Sequence, residues 1–516
     1  MTPLKLSFAQ HYHERTKYSP ENIAAQARSL DFAAQPVPYK QYPLGALIDL
    51  QSYLAGAAES EAKQDPVGDR LSRLLINTYG LTGRVPSVDG EPFYLRAAPS
   101  AGGLYPAEIY LISRGTSLLP AGLYNYQVRS HGLVRFWDEH VWQSLQKACF
   151  WHPALEQTHL AMIVTAVFFR SAWRYEDRAY RRIFLDTGHL LGNLELAGAL
   201  TDYRPHLIGG FADSAVNQML YLDEQKEGAI AVIALADLLQ VEQNLPADHT
   251  TLASDVHQVY PALAAGELLP YLHAVSQIPV AGASKADPQP RLAEPAAQPE
   301  QKDKYNFPFC LKASTTTSPL DWGDSLHKLE NTILRRRSTR RYSGLELKLA
   351  DLKSLLHFAY QPQDYVDQGC DRQPDYFDLS LIETFVAVSS VVGLDEGCYY
   401  YAPQAQELRQ IRFKNFRREL HYLCLGQDLG RDAAAVLFHT ADLNQAVARY
   451  GDRAYRYLHM DAGHLGQKLN LAAIRLNLGV SGIAGFFDDQ VNKMLGIPDD
   501  EAVLYITTFG QPRQRR

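Results

Sequence analysis

Cysteine is scarce in this 516-residue chain. The five present, Cys149, Cys310, Cys370, Cys398 and Cys424, are scattered and never form a CxxC pair. That spacing excludes a disulfide framework and a zinc site, and predicts reduced, buried thiols. Long apolar runs are also missing. No stretch has the length of a bilayer span, and the opening MTPLKLSFAQHYHERTKYSP lacks the apolar core of a signal peptide. A cytoplasmic protein with no membrane partner is the expectation. Positive charge is not in excess either: 50 Lys and Arg stand against 57 Asp and Glu, a formal net charge of −7. That balance gives no reason to expect nucleic acid. No GxGxxG follows a strand pattern, and Walker A and HExxH sequences are absent. A tightly held dinucleotide, ATP or a metal is therefore not indicated.

What remains is an ordinary globular composition, 46% hydrophobic, in a chain long enough for more than one domain. Tyrosine is abundant, 30 against 20 phenylalanines, and combines an apolar body with a polar tip suited to pockets around flat ligands. Residues 1–67 read as a polar N-terminal arm, irregular around PVPYKQYP. DRLSRLLINTYGL has helical periodicity, AEIYLIS and LAMIVTAVF read as strands, residues 140–150 as a helix, and Trp173 to Asp202 as one long helix. Residues 281–304, rich in Pro, Ala, Gln and charge, read as a linker.

After the linker the pattern begins again. RYEDRAYRRIFLDTGHLLGNLELAG at 174–198 matches RYGDRAYRYLHMDAGHLGQKLNLAA at 449–473, and over 174–220 against 449–495 there are 22 identities in 47 positions. GLYNY at 122–126 meets GCYYY at 397–401, and Pro99 meets Pro374, at the same offset of 275. LSRLLINTY aligns with LKSLLHFAY at offset 281. The chain is a tandem duplication of one domain, 68–280 and 305–516, and two such copies most naturally pack as a pseudo-homodimer.

The copies differ where a ligand would be expected. PSAGGLYP at 99–106 offers a hydroxyl, two glycines and bare amides, and glycine lets backbone approach a ligand closely. Its counterpart, PDYFDLSL at 374–381, has lost the first serine and both glycines. Conversely, LRRRSTRRYSG in the second copy places Arg336, Arg337, Ser338 and Arg340 within five residues, a set suited to phosphate, where the first copy has AGAAE at 55–59. Alone, an arginine run is a solvated face and PSAGG an ordinary turn. Their complementary loss favours one shared site, one half from each copy, with its pseudo-symmetric mate dead.

These residues together, R-x-x-PSAGGLYP, GLYNY, RYxDRAYR…GHL and RRRSTRRYSG, resemble the nitroreductase superfamily, and within it the SagB-type dehydrogenases, which include azoline (thiazole/oxazole) oxidases. YHERTKYSP resembles the same branch. The resemblance implies an α+β fold, two tandem nitroreductase-like sandwich domains forming a pseudodimer with FMN at their interface. It implies that Arg336, Arg337, Ser338 and Arg340 hold the FMN phosphate, with Arg513 a further candidate. Pro99, Ser100, Ala101 and Gly102 would lie against the flavin, assisted by Arg96, as would the loop Ile483, Ala484 and Gly485. One FMN per chain is expected, with NAD(P)H a candidate transient electron donor.

Azoline-oxidising relatives have a Lys-Tyr pair at the head of the DRAYR helix. Here the pairs are Arg174-Tyr175 and Arg449-Tyr450. Arginine stays protonated and is a poor base, although either tyrosine can relay a proton. The other reading of RYxDRAYR is an ion-paired helix start. His189 and His464 read as satisfied interface histidines rather than metal ligands. Two functions stay open: an FMN-dependent oxidoreductase acting on a small or peptide-borne substrate, and a flavin- or peptide-binding accessory protein whose catalysis has decayed.

Overall fold

The computed structural model describes residues 5–25, 29–54, 65–86, 92–240, 251–280, 303–305 and 310–513. AGAAE at 55–59 lies outside the described residues, as does the expected linker except for residues 303 and 304.

Each half builds a seven-stranded antiparallel sheet. The strands of the first half are β1 (Ala46–Asp49), β2 (Ala107–Ser113), β3 (Gly122–Gln127), β4 (Gly132–Trp137), β5 (Leu160–Val167), β6 (Tyr203–Ile208) and β7 (Glu227–Asp237). Their order across the sheet is β1-β4-β3-β2-β5-β7-β6. The second half supplies β8 (Lys312–Ser314), β9 (Glu383–Val388), β10 (Gly397–Ala402), β11 (Glu407–Arg412), β12 (Ala435–Asp442), β13 (Gly479–Ile483) and β14 (Glu501–Gly510). Their order, β8-β11-β10-β9-β12-β14-β13, repeats the first position by position. The middle strands are buried along nearly their whole length, which is why AEIYLIS and LAMIVTAV carry near-continuous apolar runs rather than clean alternation.

The helices repeat too. Those that matter here are α1 (Phe8–Arg15), α2 (Pro66–Tyr79), α3 (Phe168–Tyr175), α4 (Ala179–Leu200), α5 (Leu268–Val275), α6 (His327–Arg335), α7 (Leu349–Tyr360), α8 (Leu443–Tyr450) and α9 (Ala454–Arg475). The long helix expected from Trp173 to Asp202 is broken: α3 ends where Glu176 turns to φ +49°, and α4 starts after a short 3-10 turn. The second copy breaks at Gly451, φ +63°. The break lets α3 follow its strand while α4 turns into the interface.

Helices α4 and α9 are buried on nearly every face, as expected of a helix at the centre of a large core. They touch where Gly188 meets Gly463. A Cβ on Gly188 would stand 2.1 Å from the Met460 carbonyl oxygen, and one on Gly463 would stand 2.3 Å from that of Leu185. Only glycine permits so close a crossing, and both copies keep it.

The N-terminal arm is not wholly irregular. Ser7 and Gln10 form a reciprocal cap on α1. Helix α5, although it falls inside the stretch 68–280 expected for the first copy, is the counterpart of α1 at an offset of 260 and leads into the second copy. Tyr18 bridges to Phe487 after α1, and Ile278 bridges to Ala212 after α5. The capping is crossed: Asp452 accepts from the Ala9 amide at 2.9 Å, and Asp177 accepts from the amides of Gly266 and Leu269. Four arginines of the DRAYR motifs complete the pattern. Arg178 and Arg181 both bind Asp488, at 2.8 and 2.7 Å, while Arg453 and Arg456 both bind Asp213, each at 2.7 Å. Arg181 also reaches the carbonyl of His13 and the hydroxyl of Thr16; Arg456 reaches the carbonyl of His273 and the hydroxyl of Ser276. Each carboxylate comes from the opposite half, so these buried charges are paired across the interface.

Candidate functional site

A cavity of about 1020 Å³ opens at the junction of the halves. The first half contributes Pro99, Ser100, Ala101 and Gly102, the Arg174-Tyr175 pair, and Arg182, Asp186 and His189 from α4. The second half contributes Ser338, Arg340, Asn470, the strand-end run Ser481 to Gly485, and Tyr505. The arm closes one side with residues 14–18, 22 and 23.

The PSAGG loop is held from beneath. Ser100 Oγ donates to Asp186 Oδ2 at 2.6 Å, the Ala101 amide donates to the same carboxyl, and the Tyr105 amide donates to Ser100 Oγ. Burial raises the Asp186 carboxyl to about 7, against the hydrogen bonds that favour its charged form. Gly102 adopts φ +66°, and a Cβ there would stand 2.8 Å from the Tyr175 hydroxyl. The loop thus presents bare backbone to the cavity. Burial also raises the Tyr175 phenol, so the hydroxyl keeps its proton at neutral pH.

Three residues on from Asp186 along α4, His189 Nδ1 lies 2.8 Å from the Leu185 carbonyl and must donate to it. Its Nε2 therefore accepts from the Tyr505 hydroxyl at 3.1 Å, a bond between the halves. Burial lowers His189 to about 4, so the ring is neutral. It is a satisfied histidine, as expected. Among the described residues no group of three His, Cys, Asp or Glu is placed to hold a metal.

The expected site residues divide into two sets. Pro99, Ser100, Ala101, Gly102, Arg174, Tyr175, Ser338, Arg340, Ile483, Ala484 and Gly485 meet at the cavity. The others lie elsewhere. Arg336 is buried behind the wall, its guanidinium donating to the carbonyls of Ala97 at 2.6 Å and Arg96 at 3.1 Å. Arg337 reaches the hydroxyl and carbonyl of Thr82. Arg96 is stacked against the rings of Tyr79 and Tyr105 and donates to the Pro38 carbonyl. These three guanidiniums satisfy backbone carbonyls, which a run of arginines in sequence does not reveal. The exposed Arg513 joins its amide to the Arg341 carbonyl.

Arg449 and Tyr450 belong to the mate position. Both bind Asp378, whose amide donates to Asp461. The mate position is filled. Tyr376, at the counterpart of Ala101, stacks on His464 with centroids 4.3 Å apart. Phe377, at the counterpart of Gly102, stacks on Tyr457 at 5.0 Å. Glu195, at the counterpart of Asn470, binds His464 at 2.5 Å and Lys468 at 3.1 Å. Residues 251–257 press in beside them: the Leu252 carbonyl accepts from Tyr457, and the Ser254 amide donates to the Tyr450 carbonyl.

Sequence reasoning passed over Tyr18, Arg182, Asn470, Ser481 and Tyr505. A signal existed for Arg182, because the otherwise matched DRAYRR and DRAYRY blocks differ there, opposite Tyr457.

The cavity's residue types fit a flavin mononucleotide. The glycine cradle admits a flat ring system, and Ser338 and Arg340 present a hydroxyl and a guanidinium for a phosphate. Arg340 forms no ion pair among the described residues, and Arg336 Nη1 is buried without a hydrogen-bond partner.

Comparison with known proteins agrees with this architecture. The model of the nitroreductase family matches twice, over residues 64–236 and 333–511, and the chain belongs to that family. The crystal structure of a putative nitroreductase from Anabaena variabilis ATCC 29413 is 64% identical. It superimposes with a TM-score of 0.92 over 98% of this chain and 100% of that one. "Putative nitroreductase MJ1384" of Methanocaldococcus jannaschii is 33% identical over 177 residues, 34% of this chain and 88% of the relative. The Microcin B17-processing protein McbC of Escherichia coli is 27% identical over 174 residues, 33% of this chain and 61% of McbC.

Proposed function

We propose that the protein is an FMN-dependent oxidoreductase with one FMN held between its halves. The observation that carries this reading is the meeting of the glycine cradle at 99–102 with Ser338 and Arg340 across the junction, while the mate position is filled by Tyr376, Phe377 and the Glu195–Lys468 pair. Bound there, FMN supplies two-electron hydride transfer, and the chain supplies orientation, electrostatics and substrate choice. Ser338 and Arg340 would hold the phosphate. Asp186 fixes the loop through Ser100 and Ala101, and the backbone of Ile483 to Gly485 lines the opposite wall. The Tyr175 hydroxyl, beside Gly102, is placed to donate or return a proton, with Arg174 next to it remaining charged. Arg449 and Tyr450 take no part in this reading, because Asp378 occupies both.

Similarity to a microcin B17-processing protein supports a peptide-borne substrate, with azoline oxidation one candidate and NAD(P)H a candidate electron donor. The tests are direct. Denaturing the pure protein should release close to one equivalent of FMN per chain; two equivalents, or none, refutes the single-site reading. Anaerobic bleaching of the flavin bands by NAD(P)H or a candidate substrate tests turnover, and failure with every donor favours the accessory role.

A further inference from the structure

We propose that the substrate of this cavity carries a carboxylate, and that Arg182 is the residue that recognises it. The proposal takes the cavity to be the redox site, as above. Arg182 is 4% exposed, yet its side chain lines the cavity. Its guanidinium lies over the Tyr175 ring, 3.8 Å from the centroid. Among the described residues its hydrogen bonds are to neutral oxygens and are long: 3.4 Å to the Arg178 carbonyl, 3.5 Å to the Tyr18 hydroxyl and 3.4 Å to the Ala484 carbonyl. Ordinary N–H···O bonds are ~2.7–3.2 Å, and a guanidinium has five donors to satisfy. A buried charge left in this state is costly unless a counter-ion arrives.

The neighbouring charges do not supply one. Asp488 is taken by Arg178 and Arg181, and Lys17 by Glu14 and Asp489. Asp177 faces the amides of Gly266 and Leu269; Asp186 feels the Arg182 charge but accepts its hydrogen bonds from Ser100 and Ala101 and forms no ion pair with it; Glu176, exposed, also lines the cavity. Among the described residues neither Arg174, exposed at the rim, nor Arg182 has an ion-pair partner. Six basic residues line the cavity against four acidic ones, Glu14, Glu176, Asp177 and Asp186, so the cavity keeps surplus positive charge. The mate position shows what the fold does without that need: at Tyr457 a phenol hydroxyl lies 3.0 Å from the carbonyls of both Gly209 and Leu252, its one proton shared between them. A carboxylate between Arg182 and Arg174 would meet a planar, bidentate donor and bring the rest of its molecule beside Tyr175 and Gly102.

Calorimetric titration with benzoate and with benzamide, which differ chiefly in charge, tests this. Wild type should bind benzoate at least tenfold tighter. Arg182→Tyr, copying the mate, should abolish the preference at unchanged flavin content, and Arg182→Lys should keep most of it. Equal affinities in wild type overturn the proposal, and that measurement needs no variant to fold. A preference that survives Arg182→Tyr overturns it too, and if flavin is lost at the same time Arg182 serves the cofactor instead. A flavin-free preparation counts against the proposed function, whereas the calorimetric preference is read without the chromophore, so the two readings fail separately.

Discussion

The two pseudo-symmetric positions share a scaffold and differ in what fills it. Asp186 and Asp461 each receive backbone amides from the loop below, and burial raises each to about 7. His189 and His464 stand at matched places on α4 and α9. Above this shared floor one position has glycine, serine and asparagine around a cavity, and the other has tyrosine, phenylalanine and a buried glutamate–lysine pair. Side-chain volume and an internal ion pair do in the second position what a ligand is proposed to do in the first. Space at a domain junction is filled from one source or the other.

The strongest way to break the comparison is through what the halves have in common. Asp488→Ala and Asp213→Ala each strand two buried arginines, and each should cost about 3–5 kcal/mol in a denaturant titration. If one is tolerated and the other is not, the clamps are not equivalent. Next comes the feature that separates the halves. Replacing Ser338 and Arg340 together by alanine should leave less than about a tenth of the bound flavin, since charge-assisted phosphate contacts are among the stronger hydrogen bonds. Arg449→Ala, in the filled position, should leave flavin content unchanged. Retention of flavin in the double variant, or its loss in Arg449→Ala, reverses the assignment of the two positions.

A further test concerns pH. The Asp186 and Asp461 carboxyls lie near 7 in the fold against 3.8 in the open chain. A raised carboxyl pKa means the folded state binds the proton more tightly. This stabilisation is complete below about 4 and is lost as pH rises through 7. Melting curves between pH 4 and pH 8 should show Asp186→Asn and Asp461→Asn each removing part of that decline, by similar amounts. A decline of full size in both variants excludes the carboxyls as its source.

Much of this was legible in the sequence. The constant offset of 275 exposed the duplication, and the exchange of PSAGG for PDYFD showed which position kept its cradle. The equivalence of α1 and α5 was hidden, because hardly more than His13 and His273 survive in the repeat and its offset is different. The roles of the RRRSTR arginines divided unpredictably. Ser338 and Arg340 face the cavity, while Arg336 and Arg337 hold carbonyls of the first half; composition says how many guanidiniums a segment has, not where each donor ends. The DRAYR motif split likewise: Arg178, Arg181, Arg453 and Arg456 bind Asp488 and Asp213, while in the first copy the stretch from Arg174 to Arg178, with Arg182, lines the cavity.

The crossed caps on α1 and α5 carry one more consequence. In an assembly of two identical chains, every substitution is written twice, and a change that closes one pocket closes both. Once the copies are joined in one polypeptide, that constraint is lifted. Tyr376 can occupy one junction while Ala101 leaves the other open. The crossed contacts of Asp452 with α1 and of Asp177 with α5 tie each of these helices to the opposite copy. Within one polypeptide a single gene can therefore shape the two junctions differently, one left open and one braced.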